Sequence, residues 1–365
     1  MRCGWGAWCG AGFILCRRIR SENLAESRLP VLAIVGSSTL LGREVRELLA
    51  ERAFPVRVKL IGAEDEDAVT LSEHAGEPVV ITALDEENLG QARVVLLAGS
   101  AASSRKATAI LERTRSAAAL IDLTCYCEDL PGARLRAPMV EPPDYVPPAN
   151  AIHIIAHPAA IALALFFTQL GRTCRISRAV VHVFEPASER GREGVEELQQ
   201  QTVSLLTFKG LPKGVFAEQL GFNILVRYGS DAPQALEQFE QRIERHLASL
   251  LAAQGALPMP SLRLIQAPVF HGHSFSVWAE LEENPGKQAL ESALACPQVD
   301  VRGADAEAPT AVGFAGQSGI AVGAIEVDRN NPRAAWFWIV ADNLRLAAEN
   351  ALAVAAGLLA GGEWR

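Results

Sequence analysis

Two histidines enter an apolar strand candidate as His271-Gly272-His273-Ser274. Alternation along a strand places both imidazoles on one face. Such a pair can bind a metal, supply one general base, or serve packing. No third ligand cluster accompanies them, so a structural histidine is the default. A second polar group is Glu185-Pro186-Ala187-Ser188-Glu189-Arg190-Gly191-Arg192-Glu193-Gly194. It reads as a helix start, with Gly191 and Gly194 relaxing the turn and Arg192 and Glu193 pairing with neighbours; a functional loop is the alternative. A third is Gly36-Ser37-Ser38-Thr39-Leu40-Leu41-Gly42, directly after an apolar run. A glycine turn there lets the backbone approach a pyrophosphate, which a helix N-terminus favours electrostatically. Glycines between a strand and a helix are also ordinary turn chemistry.

These groups must be positioned by the elements around them. Val31 to Val35 is a short apolar run, and Leu41, Val45, Leu48 and Leu49 follow at helical spacing: strand, tight turn, helix. Further strand candidates lie at Val56–Ile61, Val79–Thr82, Val94–Ala98, Ala119–Leu123 and Ile152–Ala156, with helical stretches such as Ser104–Thr114 between them. This alternation predicts a doubly wound parallel sheet. Beyond about residue 158 the texture changes. Ile176–Phe184 and Ser274–Leu281 are longer, partly alternating strands, and Ala335–Val340 is another. Gly194–Leu206, Gln234–Ala253 and Asn343–Leu359 read as helices.

The 365 residues favour two domains, and 49% hydrophobic against 21% charged residues is a globular composition. A net charge of −8 lacks the basic footprint of a nucleic-acid binder. The seven cysteines, an odd number in a long chain, argue against a disulfide framework and for a reducing cytoplasm. Cys125-Tyr126-Cys127 lacks the two-residue gap of a redox or zinc pair and reads as small hydrophobes after a strand. Residues 1–28 carry an apolar run, Gly4 to Cys16, too short to span a bilayer and flanked by arginines. A disordered extension is expected there, with a peripheral anchor as the alternative. No metal and no membrane association are expected.

Four segments together resemble the aspartate-semialdehyde dehydrogenase family, and its dehydrogenase-like Usg branch most closely. They are Val35-Gly36 to Gly42, Ala187-Ser188 with Gly191 to Leu198, Gln266 to Ser274, and Trp338 to Arg345, in the family's order from about Leu29 to Leu359. The resemblance implies an N-terminal Rossmann domain for NADP (29–158), a C-terminal α+β domain for substrate and dimerisation (159–342), and a last helix (343–361) returning to the first domain. It also implies a reaction. A cysteine thiolate attacks the aldehyde, a histidine acts as base, hydride passes to NADP and phosphate releases the acyl group.

Carried over residue by residue, the catalytic site is degenerate. The nucleophile falls on Ala160 within Ala156-His157-Pro158-Ala159-Ala160-Ile161-Ala162, the glutamine on Glu185, and the substrate-clamping arginine on Gln266. Glutamine cannot form the bidentate ionic pair. Only the histidine is kept, as His273, while a lysine falls loosely on Glu240. The expected cofactor contacts are Gly36, Ser37, Ser38, Thr39, Leu40, Leu41, Gly42 and Asn343. They too are eroded: Thr39 stands at the central glycine, and Glu64-Asp65-Glu66-Asp67 stands where an arginine would meet the 2′-phosphate. NADP or NAD binding is therefore expected to be weak or lost. The expectation is a homodimeric, non-catalytic binding or interaction protein. The alternatives are an NAD(P)-dependent oxidoreductase of altered chemistry, using His273 or Glu185 as acid or base, and a semialdehyde dehydrogenase of amino-acid biosynthesis. Cys125 and Cys127 are the conceivable substitute nucleophiles.

Overall fold

A computed structural model describes residues 29–52, 54–63, 70–74, 77–142, 144–148, 150–255 and 257–359. Two six-stranded sheets organise them, together with a small hairpin. The first sheet uses β1 (Val31–Val35), β2 (Arg57–Ile61), β5 (Val94–Leu97), β6 (Ala119–Asp122), β7 (Ala133–Arg136) and β8 (Ile152–Ile155), in the order β2-β1-β5-β6-β8-β7. Every pairing is parallel. Parallel sheets are covered on both faces, which explains why β1 and β5 are buried along their whole length. The helices are α1 (Leu40–Glu51), α2 (Glu86–Leu89) and α3 (Ala101–Thr114). The stretch predicted at Val79–Thr82 falls in a strand, β4 (Glu77–Ile81), which pairs with β3 (Thr70–His74) as an antiparallel hairpin while Thr82 bridges in parallel to Ile61 at the end of β2. The acidic run 64–67 lies outside the described residues.

Helix α4 (Pro158–Gly171) leaves β8 and joins the two sheets. Ten of its residues, among them Phe166 and Phe167, are buried. A helix apolar all round is one enclosed on all sides. Next come β9 (Ile176–Glu185), a 3₁₀ turn (Ala187–Arg190), α5 (Gly191–Leu206), α6 (Leu236–Ala252), β10 (Ser261–Gln266), β11 (His273–Leu281), α7 (Lys287–Leu294), β12 (Val299–Val301), β13 (Ile320–Val327), β14 (Ala334–Ala341) and α8 (Asn343–Leu359). The second sheet runs β10-β9-β11-β14-β13-β12 and is mixed, with parallel pairs at its two edges. The fold is therefore a Rossmann-like parallel sheet followed by an α+β domain, as the sequence texture predicts.

Register decides which residues of the second sheet face inward. Phe275 pairs with Val183 and Val277 with Val181, and all four are fully buried against the helical layer. The opposite face carries Val180 beside Trp278 and Trp336, His182 beside Ser276 and Trp338, and Phe184 beside Ser274. The loop containing Ala311 and Phe314 covers its Trp338–Val340 end. Val180 and Trp336 stay 40% exposed at the other end. Helix α5 packs on the 3₁₀ turn and α1. Helix α8 packs on α1, tied by Arg345 to Glu44 and Glu51 and by Arg52 to Glu349.

Candidate functional site

The C-terminal ends of β8, β9 and β10 and the start of β11 meet in one buried polar cluster. Glu185 ends β9 and Gln266 ends β10, paired side by side in the ladder and both fully buried. Glu185 is ion-paired with Arg190 of the adjacent 3₁₀ turn. The Arg190 Nε donates to the Tyr228 hydroxyl at 3.1 Å, and that hydroxyl donates to Gln266 Oε1 at 2.5 Å. Gln266 Nε2 donates to the Glu185 carbonyl at 2.8 Å. The residue at the clamp position is thus consumed in holding the sheet edge and the turn together. Burial pushes the Glu185 carboxyl up, opposed by Arg190, while burial of Arg190 is outweighed by Glu185 and its pKa is raised.

Beside this ring, Glu189 faces two imidazoles. His157 caps α4: its Nδ1 accepts from the Ala159 N–H at 3.2 Å, which leaves Nε2 as the proton-bearing nitrogen, 3.4 Å from Glu189 Oε2. His273 Nε2 lies 3.9 Å from Glu189 Oε1 and its ring centroid 5.8 Å from that of His157. His273 is fully buried, and neither ring nitrogen has a hydrogen-bond partner among the described residues. Burial pushes its pKa down to about 3, so it is neutral at pH 7. Burial raises the Glu189 carboxyl, but His157, His273 and Arg190 together outweigh it and the net shift is downward. Asn343 donates to Glu189 at 2.9 Å, exchanges hydrogen bonds with Ser188, and accepts from the Gly272 N–H at 3.0 Å.

The structure corrects several expectations. His271 and His273 do not share a face: Gly272, at φ +83°, ends the strand between them, and His271 is exposed. Ala160 is fully buried inside α4, and the polar side chain that the start of α4 brings to His273 is His157. Glu240 is committed to β10, accepting from the Leu264 N–H at 2.6 Å. Cys125 and Cys127 sit beyond β6, where burial pushes the first thiol strongly up and the second up to about 12. Protonated thiols are poor nucleophiles. Glu189 and His157 escaped the sequence reading. One looked like a helix-start charge and the other like a residue preceding proline, and only the fold brings positions 157, 189, 273 and 343 together.

Cys125, Glu128 and His246 have ligand-type atoms within 4.8 Å of one another. His246 Nδ1 accepts from the His157 backbone N–H at 2.9 Å, so its protonated Nε2 faces Glu128, which also pairs with Arg242 and Arg245. Glu128 is thus already held by two guanidiniums and an imidazole, and the cluster joins α6 to the first sheet's loops.

At the glycine turn, the amides of Gly36 and Ser37 donate to the Ile61 carbonyl, that of Thr39 to Gly36, and that of Gly42 to the Thr39 hydroxyl. The Thr39 hydroxyl donates to the Gly36 carbonyl at 2.9 Å and the Ala98 carbonyl at 2.7 Å, lacing the ends of β1 and β5. The strand order reverses between these strands, which is where such sheets place dinucleotides. A Cβ on Gly36 would stand 2.3 Å from the Gly99 Cα, and one on Gly42 2.2 Å from the Gly36 carbonyl oxygen. Packing alone therefore demands both glycines. Leu40 and Leu41 open α1, and Arg192 reaches over the turn to the Ser38 carbonyl at 3.3 Å. The amides of Gly36, Ser37, Thr39 and Gly42 are thus committed within the fold, and the Thr39 side chain stands at the centre of the turn.

Comparison with known proteins places this arrangement. Residues 170–346 match the semialdehyde dehydrogenase dimerisation domain. The second half of this chain is thus similar to that domain. The resemblance extends well beyond the dimerisation domain. A USG-1 protein homologue of Pseudomonas aeruginosa is 29% identical over 86% of this chain and 93% of its own length. The aspartate-semialdehyde dehydrogenase of Rickettsia bellii is 26% identical over 90% and 97%. The solved structure of a probable aspartate-semialdehyde dehydrogenase from Pseudomonas aeruginosa is 27% identical, covers 91% of this chain and 99% of that one, and superposes with a TM-score of 0.79. The same fold, at 14% identity and a TM-score of 0.63, is found in the aspartate-semialdehyde dehydrogenase with NADP from Candida albicans. The matched residues 170–346 carry the mixed sheet with its half-exposed Val180–Trp336 face. Among the described residues no helix is long and apolar enough to cross a membrane.

Proposed function

We propose that this chain is a non-catalytic relative of the aspartate-semialdehyde dehydrogenases, a cytoplasmic homodimer that acts as a binding or interaction protein. One observation carries the reading: the cluster around the candidate base is closed by the protein's own side chains. His273 is fully buried behind Glu189, and Glu185, Arg190, Tyr228 and Gln266 bond one another where a substrate carboxylate and carbonyl would have to be received, leaving Glu185 Oε2 without a hydrogen-bond partner among the described residues. Ala160 offers no nucleophile, and the Cys125 thiol, which feels the Glu189 charge, is kept protonated mainly by burial. The pyrophosphate turn is occupied by Thr39, which supports weak or absent binding of NADP and NAD. Homodimerisation through the exposed end of the second sheet is supported by the dimerisation-domain match and by the apolar row Val180–Trp278–Trp336.

The neutral, unpaired imidazole of His273 favours one second reading, an oxidoreductase of altered chemistry with His273 or Glu185 as base. Equilibrium titration with NADP, NADPH, NAD and NADH separates the two. The proposal predicts no saturable binding below millimolar concentration. Micromolar binding of any one form overturns it in favour of the oxidoreductase.

A further inference from the structure

Three segments far apart in the chain deliver polar groups to one carboxylate. Asn343 at the start of α8 donates Nδ2–H to Glu189 Oε1 at 2.9 Å. His157, from the corner between β8 and α4, stands 3.4 Å from Oε2, and His273, at the start of β11, stands 3.9 Å from Oε1. Each receiving group is anchored independently of Glu189. Asn343 is held by Gly272 and Ser188, His157 by the Ala159 amide and His246, and His273 by its ladder position opposite Ala341. The receptor would stand without its glutamate. His273 also presents two buried ring nitrogens that no described group satisfies. Buried polar groups without partners are costly, and in a native structure they point to a role in receiving something.

We propose that this recess is a carboxylate-binding site whose resident ligand is the side chain of Glu189, and that a small free monocarboxylate takes the same place once that side chain is removed. The inference rests on the reading that the protein's own side chains close the cluster. The atoms of glutamate beyond Cα amount to a propionate, so propionate is the matching probe. In the wild-type protein the tethered carboxylate has an effective concentration of roughly millimolar or more, so dilute propionate does not displace it.

Thermal melting of the full-length wild-type, Glu189→Gly and Glu189→Gln proteins tests this, with sodium propionate titrated against sodium chloride at constant ionic strength. In Glu189→Gly, propionate is expected to raise the melting temperature saturably, by roughly 2–4 °C at ten times its Kd. Acetate should do less, and neutral propionamide nothing. Wild type and Glu189→Gln, whose recess remains filled, should respond to propionate and chloride alike. Equal responses of Glu189→Gly to the two salts would overturn the proposal. If Glu189→Gly does not fold alone, its refolding decides: recovery in propionate but not in chloride supports the site, and equal failure in both overturns it. The two readings fail separately. Micromolar dinucleotide binding to the wild type would remove the closed, non-catalytic reading and leave the propionate result standing. A missing propionate effect would remove the resident ligand and leave closure intact.

Discussion

Glu185 and Arg190 form a buried pair whose partners cannot be removed singly without stranding a charge. Arg190→Met is expected to cost about 3–5 kcal/mol in urea unfolding, because Glu185 then stays buried without a cation. Glu185→Gln combined with Arg190→Met should cost clearly less than the sum of the single changes, and strict additivity would show that the pair is not coupled. The histidines set the acid response. The folded-state pKa of His273 is depressed to about 3 and that of His153 to about 4, both mainly by burial. The unfolded chain binds more protons below an ordinary histidine pKa of about 6.5, so stability is fully present above that pH and is lost as pH falls toward the folded values. Each histidine contributes a slope of up to about 1.4 kcal/mol per pH unit in that window. Urea unfolding at pH 7, 6 and 5 should show this loss, and His273→Asn should flatten it; an unchanged slope in the variant would contradict the burial of a neutral imidazole. His273 was legible in the sequence as one of the two histidines of the His271-Gly272-His273 motif. Glu189 was not, because its role depends on partners 32 and 154 residues away in the chain.

At the scale of elements, β1, the glycine turn and α1 were readable because an apolar run, a glycine and a 3.6-residue period follow in order. The purpose of the glycines was not readable. A pyrophosphate cradle and a close approach of two backbones demand the same residue type, and only the 2.3 Å separation of a Gly36 Cβ from Gly99 distinguishes the second demand. Gly36→Ala combines that clash with a φ of +81° and should cost more than about 2 kcal/mol in chemical denaturation. Thr39→Gly makes the opposite change. It removes the hydroxyl bridge to Ala98, should cost about 1 kcal/mol, and should strengthen NADP binding several-fold. Unchanged affinity in Thr39→Gly would mean that the threonine does not guard the turn. Strands β10 and β13 escaped the sequence reading, the first because Arg263 and Gln266 interrupt a short apolar run whose burial comes from α6. On the open face of the second sheet, Val180, His182 and Phe184 of β9 are joined by Ser274, Ser276 and Trp278 of β11, while Phe275 and Val277 face inward, because a shift of one residue exchanges the two sets.

For the whole molecule, the fold is that of a two-domain dehydrogenase while the residues that would do the chemistry hold one another. Sedimentation equilibrium at micromolar concentration should give a dimer, and Trp336→Glu, on the exposed end of the sheet, should shift it toward monomer. A concentration-independent mass of 39.1 kDa would remove the dimer. A closed cluster with Ala160 enclosed in α4 leaves acyl transfer without a route, and one assay decides whether that is so. The purified protein is incubated with aspartate semialdehyde, NADP and phosphate, and NADPH formation is followed by absorbance, with Ala160→Cys in parallel. No turnover above the protein-free control is predicted for the wild type. None is predicted for Ala160→Cys either, since position 160 is enclosed in α4 and Glu189 still fills the recess before His273. Phosphate-dependent NADPH formation by the wild type, abolished by His273→Asn, would contradict the account.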